Sequence, residues 1–354
     1  MDRTATDVPP SLLTVAARVE ARLDALFEHE IGRWAELSAD LVPPLESLQE
    51  LVMGGGKRLR PAFCFWAYLG AGGDAASDDV IDAGAAFEML QAFALVHDDV
   101  MDGSAVRRGH RTAHLAYGDR HAGDGWRGEA RRFGEGVAIL IGDLAHVYAD
   151  QLLPRDRADV QAVWDELRIE LNVGQYLDLL GTARADLDRE AARRIARYKS
   201  GKYTIERPLH VGAALAGRLR DLQPVLSAYG DPLGEAFQLR DDLLGAFGDE
   251  VATGKPVGDD LREGKPTPLL AAAAAEADAA QAAVLGEVGS PELDDPRIAA
   301  IQQVLTDTGA VESIEASISS LTHAALAAIE EADLTSEARD ALVELAHFVA
   351  WRST

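Results

Sequence analysis

The sequence lacks the features that mark secreted and membrane-spanning proteins. Its single cysteine, Cys64, cannot form a disulfide within the chain, and its neighbours Phe63, Phe65 and Trp66 indicate ordinary apolar packing. No uninterrupted apolar run approaches the roughly 20 residues of a membrane span, so the sequence predicts no transmembrane segment. The N-terminus has neither the basic nor the apolar region of a signal peptide. Together these absences favour a cytoplasmic protein.

Basic residues are scarce as well. The chain of 354 residues carries 34 Lys and Arg against 59 Asp and Glu, which gives a formal net charge of −25. So large a negative charge disfavours binding to nucleic acid or to an anionic membrane surface. The sequence therefore predicts no nucleic-acid partner, and any local cluster of basic residues becomes informative.

The chain is also poor in signals for strands. Aromatic residues make up only 6% of it, and no sustained alternation of apolar and polar residues is present. Apolar residues instead recur three or four positions apart, a spacing typical of amphipathic helices, as in Leu12, Val15, Val19, Leu23, Leu26 and Phe27. The pattern predicts an all-α protein. No segment resembles an interdomain linker, so we expect a flexible leader over residues 1–10 and a single domain over residues 11–354.

Two Asp-Asp pairs stand in apolar helical stretches. One is Asp98-Asp99, with Asp102 following on the same helix face as Asp98, and the other is Asp241-Asp242. Either pair alone is also compatible with a solvated acidic face. Carboxylates crowded against an apolar surface repel one another and need a cation between them. Mg²⁺ characteristically bridges protein carboxylates and substrate phosphates, so the pairs predict a magnesium site.

Local basic clusters accompany the two Asp pairs. Arg and Lys side chains both suit phosphate oxygens, although each cluster by itself is more typical of a solvated patch. The clusters contain Lys57, Arg58 and Arg60, then Arg107 and Arg108, then Lys199 and Lys202, and finally Lys255 and Lys265. Taken with the Asp pairs, they predict a site for two polyanions, one coordinated through metal and one held by protein cations.

These motifs resemble, in their order along the chain, those of the trans-type isoprenyl diphosphate synthases, or polyprenyl synthetases. The matching stretches are Gly55–Pro61, His97–Asp102, Arg107–His114, Gly174–Asp178, Tyr198–Ser200, Phe237–Asp242, and Gly254-Lys255 leading to Gly264-Lys265. Within the family the chain looks most like actinobacterial geranylgeranyl diphosphate synthases. The resemblance implies the isoprenoid synthase fold, in which antiparallel helices surround a deep central cavity, and it implies a homodimer.

The resemblance also implies which metal is used and which residues hold it. Three Mg²⁺ ions, for which Mn²⁺ would substitute, would clamp an allylic diphosphate between the two Asp motifs. Asp98, Asp102 and Asp241 would bind metal directly. Asp99 and Asp242 would act through metal-bound water.

Two further sets of side chains would hold the diphosphates. By the resemblance, the allylic diphosphate would contact Arg107, Lys199, Ser200, Gln238 and Lys255. Isopentenyl diphosphate would contact Lys57, Arg60, Gln91 and Arg108. Arg107, Lys199 and Lys255 would join the metal ligands as the catalytic residues. In some relatives a C-terminal arginine reaches the isopentenyl site, so we expect Arg352 there.

One position departs from the family pattern. The second motif usually reads Asp-Asp-x-x-Asp, but Gly245 stands in its last place. Asp249 would substitute for the missing carboxylate only if the helix continued past Gly248. We expect activity to be retained, because the first Asp of that motif carries the direct ligation.

The residues before the first Asp motif bear on product length. Phe93 precedes Asp98 by five residues and Ala94 precedes it by four. Relatives with an aromatic residue only at the fifth position stop near C20, so the resemblance implies geranylgeranyl diphosphate as the product and Phe93 as the floor of the tunnel. Phe93 as a simple core residue is the alternative interpretation.

Other functions stay open at this point. A farnesyl or longer-chain synthase would share every motif described so far. A class I terpene cyclase would share the fold and the first Asp motif, but such cyclases lack the Gly-Lys-Arg-Leu-Arg segment. A non-catalytic partner subunit would tend to lose the Asp motifs, and both pairs are present here.

Overall fold

The computed structural model describes residues 8–184, 189–248, 258–290 and 292–352, and within these ranges the chain is almost entirely helical. The helices are α1 (Pro10–Ala35), α2 (Val42–Met53), α3 (Leu59–Gly70), α4 (Asp78–Asp102), α5 (Ala113–Gly123), α6 (Ala130–Leu152), α7 (Ala158–Arg184), α8 (Arg189–Ala196), α9 (Arg207–Leu215), α10 (Leu219–Phe247), α11 (Asp259–Glu263), α12 (Pro268–Glu276), α13 (Ala279–Leu285), α14 (Asp295–Asp307), α15 (Ala310–Glu330) and α16 (Ser336–Trp351). A 3₁₀ turn spans Ala39–Leu41, a π-helix spans Arg197–Glu206, and the short strands β1 (Val106–Arg107) and β2 (His110–Arg111) form a hairpin. The predicted all-α class is confirmed.

Contacts between Cα atoms group the chain into two compact units. The first-motif unit comprises residues 10–65 and 74–157 and carries the first Asp pair. The second-motif unit comprises residues 66–73 and the described residues from 158 onward, together with residues 8 and 9, and carries the second pair. Each unit is described by itself below. The single domain and the leader expected from the sequence stay predictions, and residues 1–7 lie outside the described part of the chain.

Helix α4 forms the centre of the first-motif unit. Its N-terminus is capped by Ser77, whose side chain accepts a hydrogen bond from the backbone N–H of Asp79. It ends at Gly103, which adopts the left-handed conformation that glycine tolerates, at φ 69°. Because this cap stops the helix directly after Asp102, the first Asp motif occupies the last turns of α4.

Among the described residues, one helix, α4, has the length and apolar composition that a membrane span needs. It is long and apolar enough to cross a membrane by composition alone, with a mean hydropathy of 1.3 over its best window, but 67% of that window is buried within the protein. A core helix of a soluble protein has the same properties. The burial of α4 therefore agrees with the expectation that the chain has no membrane span.

Helix α10 forms the centre of the second-motif unit, as α4 does in the first-motif unit. Its apolar residues Leu239, Leu243 and Ala246 are buried in one cluster with residues of α12, α14 and α15. The carboxylates of the second Asp motif lie among these positions, near the C-terminal end of the helix. The C-terminal helices thus bury the apolar face of the helix that carries Asp241 and Asp242.

Candidate active site

Arg107 contacts the first Asp pair. Asp99 is buried, at 4% relative exposure, and Asp98 beside it is partly buried. The Nε and Nη2 atoms of Arg107 donate to Asp99 Oδ1 at 2.8 and 2.6 Å, and Nη2 lies 4.0 Å from Asp98 Oδ2. A charge-assisted pair of this kind offsets the cost of burying Asp99. The structure thus brings Arg107 together with the motif it was predicted to serve.

A tight hairpin turn presents Arg107 and its neighbour. Arg107 pairs with His110 across the two strands, so only Arg108 and Gly109 form the turn. Both have positive φ, 53° and 76°, as the mirror-image turns that match the twist of a hairpin require. Arg108 donates from Nη1 to the carbonyl of Leu51 at 2.5 Å. This contact fixes the hairpin against the end of α2.

Arg108 belongs to a cluster of guanidinium groups. Burial lowers the pKa of Arg108, and the opposing charge of Glu88 counters part of that effect. Nearby positive charges lower it further, and they belong to Arg58, Arg60 and Arg107. Arginines close enough to disfavour one another's charge form a site where an anion is stabilised. The predicted phosphate ligands Arg60 and Arg108 are thus brought together.

The three cations of the segment Gly55–Pro61 lie in different environments. Arg58 is buried and forms an ion pair with buried Glu88, so its charge is used within the fold. Lys57 and Arg60 are partly exposed, as an anion ligand must be. Lys57 and Arg60 are three residues apart, a spacing that would place both on one face of a helix. Lys57 precedes α3, which begins at Leu59, so the two residues do not share a helix face.

The second Asp pair has no comparable cation on its buried member. Asp242 is buried, at 3% relative exposure, and accepts one hydrogen bond, from Gln238 Nε2 at 2.8 Å. Its other oxygen, Oδ2, has no hydrogen-bond partner among the described residues. Burial raises the pKa of Asp242 well above its usual range, and the negative charges of Asp260 and Asp241 raise it further. A carboxylate in this environment is costly unless a cation or its bound water satisfies it.

Arg352 contacts the other member of the second pair. Its buried guanidinium donates to Asp241 and lies over the ring of Phe237, with 4.4 Å between the guanidinium carbon and the ring centroid. The role that the sequence suggested for Arg352 at the isopentenyl site stays a prediction, and the structure pairs its side chain with Asp241. No local pattern marks this contact, since the two residues are far apart in the sequence.

A π-helix carries the predicted diphosphate ligands Lys199 and Ser200. Lys199 Nζ lies 2.5 Å from Oδ2 of Asp178, a buried residue of α7. The two backbones touch because α7 has glycine at the crossing, where a Cβ on Gly174 would lie 2.3 Å from the Lys199 nitrogen. π-Helices are rare and often occur at functional sites. The motifs at Gly174–Asp178 and Tyr198–Ser200 therefore meet in one place.

The residues predicted to set product length lie on a partly exposed face of α4. Gln91, Phe93 and Ala94 are each partly exposed, unlike the residues that fill the core of this unit. The ring of Phe93 lies 4.8 Å from the ring of His97 and 4.9 Å from that of His146 on α6. Phe93 is therefore not fully buried and contacts two histidine rings, and its role as the floor of the product tunnel stays a prediction.

The sequence matches the profile of one family, polyprenyl synthetase, over residues 44–305. The chain belongs to the polyprenyl synthetase family. The predicted family and the predicted trans-prenyltransferase class are both confirmed by this match and by the relatives described next.

Several polyprenyl synthetases are similar to the chain over most of its length. It is 34% identical to the geranylfarnesyl diphosphate synthase of Aeropyrum pernix over 299 residues, 82% of this chain and 87% of that protein. It is 31% identical to the (2E,6E)-farnesyl diphosphate synthase of Mycobacterium tuberculosis over 307 residues, 84% of this chain and 77% of that one. The crystal structure of geranylgeranyl pyrophosphate synthase from Corynebacterium glutamicum, complexed with isoprenyl diphosphate and magnesium, has a TM-score of 0.89 at 37% identity and covers 98% of this chain and 100% of that one. The isoprenoid synthase fold is therefore confirmed.

The side chains of this polyprenyl synthetase fit magnesium. Both Asp pairs offer only oxygen donors, which Mg²⁺ prefers, and the unsatisfied buried oxygen of Asp242 is one that a metal-bound water would satisfy. Among the described residues, no three His, Cys, Asp or Glu side chains form a group that holds a metal ion by itself. Lys255 and Asp249, two candidates of the sequence analysis, lie outside the described residues.

Proposed function

We propose that the protein condenses isopentenyl diphosphate with allylic diphosphates and releases geranylgeranyl diphosphate, the C20 product. The observation that carries the proposal is the pairing of two kinds of anion site in one chain. The Asp motifs suit a diphosphate bound through metal, and the neighbouring Arg60 and Arg108 suit a diphosphate bound by cations. A transferase that joins two diphosphates needs both kinds.

The allylic substrate would be held by the Asp motifs and by nearby cations. Asp98, Asp102 and Asp241 would bind Mg²⁺ directly, with Asp99 and Asp242 acting through water. Bound Mg²⁺, by the resemblance three ions for which Mn²⁺ would substitute, would supply positive charge to the leaving diphosphate. Arg107, Lys199, Ser200, Gln238 and Lys255 would donate to the same diphosphate.

The second substrate would be held by protein cations. Lys57, Arg60 and Arg108 would contact the isopentenyl diphosphate, with Gln91 donating to it from α4. Arg guanidinium forks bind phosphate oxygens in a fixed geometry, so they orient the substrate as well as attract it. Orientation matters because two substrates must meet within reacting distance.

The reaction then needs little further chemistry from side chains. The allylic C–O bond breaks as its electron pair leaves with the diphosphate. The double bond of isopentenyl diphosphate forms a new C–C bond to the resulting allylic cation, and a proton then passes to the released diphosphate. The protein contributes preorganised charge and positioning, while apolar side chains keep water from the cation.

Product analysis tests the proposal directly. Purified protein would be incubated with Mg²⁺, labelled isopentenyl diphosphate and each of the C5, C10 and C15 allylic diphosphates, and the dephosphorylated products would be separated by chain length. A dominant C20 alcohol supports the proposal, and C15 or C30 products keep the enzyme class but reject the C20 assignment. An allylic substrate that is cyclised without incorporation of label indicates a terpene cyclase.

The Phe93 side chain provides a test of product length. If Phe93 is the floor of the product tunnel, Phe93→Ala should shift products beyond C20, because the removed ring leaves room for another isoprene unit. The measurement is the chain-length distribution of the products. Phe87→Leu, a change at a fully buried position of the same helix, is the control for altered core packing. An unchanged distribution in Phe93→Ala would contradict the assignment.

A homodimer and a cytoplasmic location complete the proposal. Helix α6 leaves the apolar side chains of Ile139, Leu140 and Val147 exposed, and α7 leaves Ile169 and Val173 exposed. Exposed apolar side chains grouped on a helix are typical of protein–protein contacts, and a second copy of the chain is the occupant we propose. Light scattering of the purified protein measures the mass, and a monomer at micromolar concentration would contradict it.

A further inference from the structure

The carboxyl group of Asp260 occupies the space above Gly245. Gly245 stands where the second motif of the family has its last Asp, one helical turn after Asp241. A Cβ added to Gly245 would lie 1.9 Å from Asp260 Oδ2 and 2.6 Å from its Cγ. Gly245 lies within α10 and has no positive φ, so its backbone does not require glycine. Glycine is needed at this position because the Asp260 side chain approaches the helix so closely.

Asp260 is held at this place by its own short helix. Helix α11 begins after Gly258 and ends at Gly264, both in the left-handed conformation, with φ of 72° and 71°. The backbone N–H of Lys265 donates to the Asp260 carbonyl at 3.2 Å, and Lys265 Nζ lies 3.6 Å from Asp260 Oδ1. Leu261 is buried in the cluster that covers α10. These contacts fix the Asp260 carboxylate against α10.

Asp260 also lies beside the unsatisfied carboxylate of the motif. Asp242 and Gly245 are three residues apart and share a face of α10. Asp242 Oδ2 is buried and accepts no hydrogen bond from the described residues. The face of α10 that Asp260 approaches at Gly245 therefore also carries a buried carboxylate oxygen that needs a donor.

We propose that Asp260 supplies the carboxylate missing at position 245 and orients the water bound to a divalent cation at the second Asp motif. The inference rests on the proposed function, in which Asp241 ligates that cation. Asp260 is then a positioning residue, acting through water. The carboxylate that the family has at position 245 would then come from α11, and Gly245 leaves the space that this carboxylate occupies.

Moving the carboxylate back to α10 tests this role. Binding of Mn²⁺, a paramagnetic substitute for Mg²⁺, would be counted from the loss of the free-ion EPR signal, with inorganic diphosphate at a fixed concentration. Removing a carboxylate that orients metal-bound water typically costs about 10- to 100-fold in metal affinity, so we expect that loss in Asp260→Asn. The double variant Gly245→Asp with Asp260→Gly should recover most of the affinity, because it restores the carboxylate from the other side.

Two control variants separate this role from a structural one. Glu263 is the second carboxylate paired with Lys265. If Asp260 only holds Lys265 in place, Glu263→Gln should weaken Mn²⁺ binding as much as Asp260→Asn does, and the double variant should not recover it. Glu276→Gln removes an exposed charge from the same unit and should leave binding unchanged. Circular dichroism melts would confirm that each variant is folded.

The same titrations distinguish failure of the inference from failure of the proposed function. Loss of Mn²⁺ binding in Asp241→Ala with unchanged binding in Asp260→Asn would overturn the role of Asp260 alone. Unchanged binding in Asp241→Ala, or no binding by the unaltered protein, would overturn the metal assignment itself. A folded double variant that binds as weakly as Asp260→Asn would also overturn the proposal.

Discussion

The two Asp motifs differ in how their buried carboxylates are compensated. Each motif buries one member, Asp99 at 4% and Asp242 at 3% relative exposure. Asp99 receives two hydrogen bonds from the guanidinium of Arg107, whereas Asp242 receives one from a neutral amide, that of Gln238. The first motif thus carries its own counter-charge. The second motif leaves its buried member, Asp242, without an ion pair among the described residues.

This difference suggests that the two motifs depend on metal to different degrees. A buried ion pair is stable as long as both partners are present, so the first motif keeps its geometry without metal. The second motif holds carboxylates that disfavour one another, and such a site gains more from a divalent cation. We therefore expect the second motif to be the one whose stability changes most when metal is removed.

Removing a proposed metal ligand from either motif should have the largest effect. Asp98→Ala and Asp241→Ala are each expected to reduce turnover by about 100-fold or more, the size typical of lost preorganised charge stabilisation. Incorporation of labelled isopentenyl diphosphate at saturating substrate measures it. Glu312→Ala, which removes an exposed carboxylate from α15, is the control. Near-normal turnover in both Asp variants would reject the metal assignment, and a loss in only one would show that the motifs are not equivalent.

Neutralising the buried member of each pair should change stability in opposite directions. Asp99→Asn removes the anion to which Arg107 donates two hydrogen bonds and should lower the free energy of unfolding by about 2 kcal/mol. Asp242→Asn removes a buried carboxyl group that forms no ion pair among the described residues, and it should raise the free energy of unfolding by about 1 kcal/mol in the absence of metal. Denaturant unfolding in EDTA measures both, so each variant serves as the other's control. Changes of the same sign would show that the two environments do not differ as described.

The same contrast explains what the sequence could predict. The first motif is local, because Asp99 and its partner Arg107 are only eight residues apart. The end of α4 at Gly103 and the turn at Arg108-Gly109 bring them together, and both positions contain glycine. Helical periodicity and the order of the motifs also predict the all-α fold and the family, and both are confirmed.

The environment of the second motif depends on contacts that no local pattern encodes. Asp260 reaches Gly245 through a turn held by two glycines, and Arg352 reaches Asp241 from the end of the chain. From the sequence alone, Gly245 indicates that the second motif has lost a carboxylate. Only the packing of α11 against α10 shows that another carboxylate stands in its place. The one available signal was a glycine inside an amphipathic helix, which often marks a close approach of another chain segment.

Replacing Arg352 should have the smallest effect of these changes, and it alters only the surroundings of the second motif. Its guanidinium lies on Asp241, whose side chain is 42% exposed, so solvent screens the pair and its net contribution is on the order of 1 kcal/mol or less. A cation must displace Arg352 to reach that carboxylate. Arg352→Met should therefore raise the affinity for Mn²⁺ by roughly two- to fivefold, the equivalent of about 0.4–1 kcal/mol. Arg220→Met, which removes an exposed positive charge from the same helix as Asp241, controls for the change in net charge. Equal gains in both variants would mean that long-range charge, rather than the contact with Asp241, sets the affinity, while a loss in Arg352→Met alone would mean that Arg352 helps to hold Asp241 in the orientation that binds metal.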